Sequence, residues 1–241
     1  MSPRQADPGA RTGLIEAGAR IIAVEGPAAV SARRLGREVG ASTSAVYTHF
    51  GGMAEFRRAV RGEGFARLAT HLDAVPITDD PVADLTRLGW AYCTNALTNP
   101  HLYRVMFMEA PIDPADAQTG WDTFERLVST VQRCMDAGRF VRCPTALHGA
   151  EQIWTMTHGV VSVVLSGMID LDQAEKLLND MGASVFVGLG DSWNDAGRSI
   201  AAGRPSNMGV LAAIRTAPSP SRARPSTGRT SGPPGGKHQS R

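Results

Sequence analysis

The spacing of apolar residues confines this chain to one class of secondary structure. Through residue 203 they recur at intervals of three and four, and no stretch sustains the apolar–polar alternation, rich in β-branched residues, of a strand. That periodicity predicts an all-α fold of about nine helices. Leu14, Ile15, Ala19, Ile21 and Ile22 mark a first helix over about 12–25, ended by Gly26 and Pro27. Ser31 supplies an N-cap for a second, which runs to Val39 and stops at Gly40. A third covers about 44–50. A fourth covers about 53–75; its Gly62 and Gly64 each cost about 1 kcal/mol relative to Ala, so this stretch should be its weakest. A fifth spans 81–97, and Asn99 with Pro100 opens a sixth as cap and first-turn proline. Trp121 to Met135 forms an amphipathic seventh that Gly138 closes. Pro144 opens an eighth that is apolar around most of its circumference, and Asp170 or Asp172 caps a ninth bearing Leu178, Met181, Val185 and Leu189. Two such consecutive helices need more apolar partners than a monomer's core supplies, which predicts a subunit interface near 145–168 and 172–190.

The 241 residues, 42% apolar and 20% charged, suffice for one full-sized core or two modest ones. The longest charge-free run, 152–169, has the length of a bilayer span but carries Gln, Thr, His and Ser, so no membrane partner is expected. Cys93, Cys134 and Cys143 have no CxxC spacing and suggest neither a metal knuckle nor a disulfide framework. Together with a start that has no apolar h-region, they predict a reduced, cytoplasmic setting.

The formal net charge of +2 conceals an uneven distribution. Residues 1–62 hold nine arginines against five acids, residues 63–203 hold nine bases against eighteen acids, and residues 204–241 hold seven bases and no acid. The chain divides into a basic head, an acidic body and a basic tail. In the tail, 17 of 38 residues are Pro, Gly or Ser and none is aromatic. Such a segment cannot bury enough apolar surface to offset its chain entropy and is expected to be disordered. It is either a solvated tail or an arm adding sequence-blind phosphate contacts.

The head has the order helix, glycine turn, short helix, with a preceding helix to pack on, which is a helix-turn-helix. Val30, Leu35 and Val39 should face Val46 and Phe50, leaving Thr43, Ser44, Tyr47, Thr48 and His49 outside. Small hydroxyl side chains and one Tyr suit a major groove about 12 Å wide, where they reach base edges, phosphates and thymine methyls. Ser31, Arg33, Arg34 and Arg37 lie where the second helix would cross the DNA backbone. Two positions have two readings each: Tyr47 contacts DNA or caps the small core, and His49 touches phosphate or closes the helix end.

Residues 14–60 resemble the N-terminal DNA-binding domain of the TetR family of transcriptional regulators. The likeness rests on Ser31, Leu35, Gly36, Val39 and Gly40 in the second helix, on Ser44-Ala45-Val46-Tyr47 and Phe50 in the third, and on Phe56. The lysine usual three residues after the Phe is here Met53, which leaves Arg57, Arg58, Arg4 or Arg11 to replace a phosphate contact. The body, over about 85–189, resembles a regulatory domain of that family called WHG, through Asn99 to Phe107 and through Trp154, His158 and Gly159. The resemblance implies a helical ligand-binding and dimerisation domain over 63–203, a homodimer joined through its last two core helices, and a small-molecule effector whose binding releases DNA. A repressor acting on a palindromic operator is the expected function. The alternatives are a sequence-nonspecific architectural DNA binder and an interaction protein with a vestigial head.

Candidate pocket residues are Trp90, Tyr103, Phe107, Trp121, Phe124, Trp154 and His158; each fits a core position as well as a pocket lining. Within an acidic body they suggest a cavity for an apolar or a cationic small molecule. His158 reads as a pocket donor or as a satisfied interface histidine. Catalysis finds no support: Gly188 to Trp193 lacks the last glycine of a dinucleotide loop, and neither GxSxG nor HExxH occurs. No cofactor and no metal are expected, because the histidines have no ligand spacing with Cys or carboxylate.

Overall fold

A computed structural model describes residues 8–205; Arg4 and the tail from residue 206 lie outside the described residues. Those described form eleven α-helices and one 3-10 turn, with no strand. The helices are α1 (Pro8–Glu25), α2 (Ala32–Val39), α3 (Thr43–Phe50), α4 (Met53–Asp73), α5 (Pro81–Thr98) and α6 (Pro100–Met108). They continue with α7 (Pro114–Ala117), α8 (Trp121–Asp136), α9 (Ala146–Leu165), α10 (Leu171–Leu189) and α11 (Trp193–Gly203). The count of nine is therefore too low by the one-turn α7 and by α11. Ser192 opens α11 by accepting from Asp195 N, and Ala196 and Ile200 seat it on the core.

Asn99 stands at the N-cap of α6 ahead of Pro100, as expected, but its side chain makes no capping bond: its amide donates to Asn95, one helical turn back, and to the adjacent Thr98, and its oxygen accepts from Arg67. Pro144 precedes α9, whose cap is Thr145, because a hydroxyl can accept from His148 N and a proline ring cannot. Asp170, not Asp172, caps α10, in a reciprocal pair with Gln173.

Three cores hold these helices together. The first joins Leu14, Ile21 and Ile22 of α1 to Leu35, Val46, Phe56 and Val60, and it extends to Leu102 and Val105 of α6. The second gathers α5, α8, α9, α10 and α11 around Val82, Val131, Phe140, Ile153, Phe186 and Ile200. The third lies between them, with Leu68 and Leu72 of α4 against Leu88, Tyr92, Tyr103 and Met106. Each fully buried Leu, Ile or Phe contributes about 1.5–3 kcal/mol. Helix α4 thus belongs to both ends of the molecule, and the boundary expected at 62 falls inside it. It is unbroken at its two glycines, and Gly64 has a packing reason: a Cβ there would stand 2.6 Å from Met106 Cγ and Sδ.

Cys93, Cys134 and Cys143 are buried and unpaired. Burial pushes the Cys93 thiol up to about 12. No helix among the described residues is long and apolar enough to cross a membrane.

Candidate nucleic-acid interface and ligand cavity

The turn between α2 and α3 depends on two glycines. Gly40 ends α2 at φ +68°, in the left-handed region, and returns its N–H to Gly36 O. A Cβ on Gly36 would lie 2.6 Å from the carbonyl oxygen of Ala41, so only glycine lets the turn fold back this tightly. Leu35 and Val46 are fully buried between the two helices, with Val30, Val39 and Phe50 packed around them. The opposite face of α3 is then fixed. Thr43, Ser44, Tyr47 and Thr48 are exposed on it, Tyr47 by 55%, while His49 is half-buried beside the Phe50 ring. Thr48 donates to Ser44 O and the Ser42 and Ser44 hydroxyls share a hydrogen bond, so this face is ordered before any partner arrives.

The basic residues of the head divide into engaged and available. Ser31 caps α2 through Arg34 N, and Arg33 and Arg37 are exposed and form no salt bridge among the described residues. Arg34, expected beside them on the DNA side, is instead held in a two-pronged pair with Glu25, both contacts 2.6 Å, and lies 3.8 Å from Glu38. Its side chain returns to the end of α1, and the pair holds Glu25 below the usual carboxylate range. Met53 packs against the first core instead of reaching outward. Of the substitutes for the missing lysine, Arg58 is paired with Asp113 and Glu55, and Arg11 lies over the Phe50 ring at 5.4 Å.

Between α4, α5, α6, α8 and α9 lies a cavity of about 430 Å³. Leu68, Leu72, Leu88, Tyr92, Met106 and Ile153 form its buried floor, and the exposed Pro111, Ala117, Trp121 and Glu151 stand at its mouth. Of the seven candidate residues, Phe107, Trp121, Phe124 and Trp154 line it. The other three do not. Trp90 sits on another face of α5, bordering small crevices beside Met156, Val160 and Leu178. Tyr103 and His158 stand behind the wall: the Tyr92 and Tyr103 hydroxyls both lie 2.8 Å from His158 Nδ1, and the Tyr103 and His158 rings stack. Burial pushes the imidazole down and both phenols up, so three uncharged groups meet here, with the Tyr92 hydroxyl also donating to the Tyr103 hydroxyl at 3.3 Å.

Sequence reasoning missed Arg61, which borders the cavity from α4. It is buried, donates to the carbonyls of Met106 and Glu109 at 2.6 Å each, and its Nε stands 3.2 Å from Asp116. It thereby ties α4 to the end of α6 and to α7.

A helix-turn-helix head seated on a helical body that encloses a cavity defines a DNA-binding transcriptional regulator with a regulatory domain. The comparisons say which kind. Residues 14–60 match the family described as "Bacterial regulatory proteins, tetR family", and residues 85–183 match "Tetracyclin repressor-like, C-terminal domain". The chain belongs to the TetR family of transcriptional regulators. Among solved structures, a regulatory protein of the tetR family from Rhodococcus RHA1 is similar at a TM-score of 0.66 and 19% identity, over 77% of this chain and 100% of that one. The TetR family transcriptional regulator PfmR from Thermus thermophilus is similar at 0.61 and 18%, over 72% and 97%. A Rhodococcus sp. RHA1 protein of unknown function is similar at 0.64 and 22%, over 78% and 98%. No curated protein matches the chain.

Proposed function

We propose that the protein is a cytoplasmic, ligand-released repressor that acts as a homodimer on a palindromic operator, with residues 1–62 as the DNA-binding head and 63–203 as the regulatory body. The observation that carries this reading is the outer face of α3, where Thr43, Ser44, Tyr47 and Thr48 are exposed together beside Arg33 and Arg37. Hydroxyls and an aromatic edge read bases, and the two guanidinium groups hold phosphates.

Dimerisation through α9 and α10 is supported by what those helices leave uncovered. Leu147, Leu177 and Met181 are about 40% exposed, and the exposed Gly159, Ser184 and Gly188 would let a second helix pair approach closely. Two heads must then present α3 about 34–36 Å apart to enter successive major grooves. A ligand in the cavity releases DNA if it prefers a different spacing, by its difference in affinity for the two states. Arg61 gives that preference a route, since it borders the cavity and sits on the helix that carries Phe56 and Val60 into the head core.

Mobility-shift selection of fragments from the protein's own genome tests the proposal. One preferred palindrome is expected, with Tyr47→Ala losing about 1–3 kcal/mol of affinity, roughly five- to 150-fold, without a change in melting temperature. Equal retardation of every fragment would instead mean architectural binding.

A further inference from the structure

We infer that the cavity selects a lipophilic cation: a bulky apolar or aromatic body carrying one positive charge. This rests on reading the cavity as the effector site. Two charged residues border it, Arg61 and Glu151. The positive one is already compensated, with Nε 3.2 Å from the buried Asp116 carboxylate and both terminal nitrogens donating to backbone carbonyls. An anionic ligand would find no uncompensated cation there.

The negative one is free to act. Glu151 lies at the mouth with its side chain 57% exposed, and its sole salt-bridge contact among the described residues is His148 Nδ1 at 3.9 Å, a partner that is charged only when protonated. The Nε2 of the same imidazole is taken by Gln152 at 2.9 Å. A carboxylate at a half-wet mouth attracts a cation without the large desolvation cost of a fully buried ion pair. Glu151 also precedes Trp154 by three residues on α9, so carboxylate and indole share one face of the helix.

The remaining wall suits the same ligand. Trp121, Phe124, Trp154 and Phe107 form a continuous aromatic series with centroid separations of 5.6, 6.2 and 6.1 Å. Ring faces attract cations within about 6 Å and repel anions, because the ring quadrupole is negative on its face. The threonine hydroxyls at the wall already donate, Thr123 to Gly120 O and Thr157 to Ile153 O, so they retain acceptor capacity. Rings, hydroxyls and carboxylate agree in sign.

A pair of ions of nearly equal shape tests this on the full chain: tetraphenylphosphonium and tetraphenylborate, each titrated by tryptophan fluorescence and by calorimetry. The expected result is that the cation binds at least about tenfold more tightly than the anion, consistent with one carboxylate and several ring faces acting together. Glu151→Gln should shrink that ratio severalfold, and Trp154→Ala should weaken the cation while a thermal melt confirms the fold. Equal or tighter binding of the borate, no binding of either ion, or an unaltered ratio in Glu151→Gln overturns the inference. A mobility shift on the selected fragment separates it from the reading beneath it. Cation preference without release of DNA sinks ligand-released repression and leaves the preference standing; release by anions alone does the reverse.

Discussion

His158 is the residue whose environment has the clearest measurable consequence. Its ring lies behind the cavity wall, and burial lowers its affinity for a proton. The unfolded chain takes up that proton near pH 6.5, and the folded chain does so only at lower pH. Its contribution to stability is therefore complete above about pH 6.5 and is lost as pH falls through the folded value. His101 shifts the same way, through burial and Arg104. Melting curves between pH 7 and 5.5 should show stability falling with pH, and His158→Gln should flatten part of that fall; parallel curves for the two proteins would contradict the account. His158 also shows where reading a sequence stops. Its type and position on α9 were legible, but only the fold brings Tyr92 and Tyr103, from two other helices, onto the same nitrogen. Arg34 was misplaced for a similar reason: its partner Glu25 lies nine residues back across a turn.

At the scale of elements, the glycines make opposite predictions. Gly62 has no atom within 4 Å of where a Cβ would go, so Gly62→Ala should gain up to about 1 kcal/mol from helix propensity. Gly36→Ala places its methyl against the Ala41 carbonyl, a backbone atom that cannot move without opening the turn, and should lose about 1–3 kcal/mol despite the same propensity gain. Thermal unfolding of the two variants checks both signs. Arg61→Met should cost more, about 3–5 kcal/mol, because it leaves the Asp116 carboxylate buried beside no cation. The same unfolding measurement decides it. Helices α1 to α6 and α8 to α10 were legible from apolar periodicity and caps, because a caps-and-period signal is local. Helix α11 was not, since glycines at 188 and 190 precede it and only Ala196 and Ile200 mark its buried stripe. Phe107, Trp121, Phe124 and Trp154 stood out in the sequence, whereas Phe65, Tyr92, Leu68, Leu88 and Met106 look the same whether they face a core or a cavity.

For the whole molecule, the uncovered apolar side chains of α9 and α10 are the test of assembly. Met181→Glu together with Leu177→Glu puts two carboxylates into the proposed four-helix contact. Sedimentation should then show a folded monomer, and operator affinity should fall by more than tenfold, because one head alone holds half of the phosphate and base contacts. A dimer that survives both charges would move the interface elsewhere.

The pairing of Arg34 with Glu25 also bears on how the molecule answers to the ions around it. Binding a duplex displaces about 0.9 of a condensed cation for each phosphate neutralised. With Arg34 held by carboxylates, α2 offers Arg33 and Arg37 from each head, and the proposed dimer would offer four such groups from these helices. Their share of the logarithmic dependence of affinity on potassium concentration is then close to −3.6, from about 0.9 for each group. Freeing Arg34 by Glu25→Gln should steepen that dependence, making a DNA-binding regulator that holds more tenaciously in dilute medium and answers more sharply to osmotic stress.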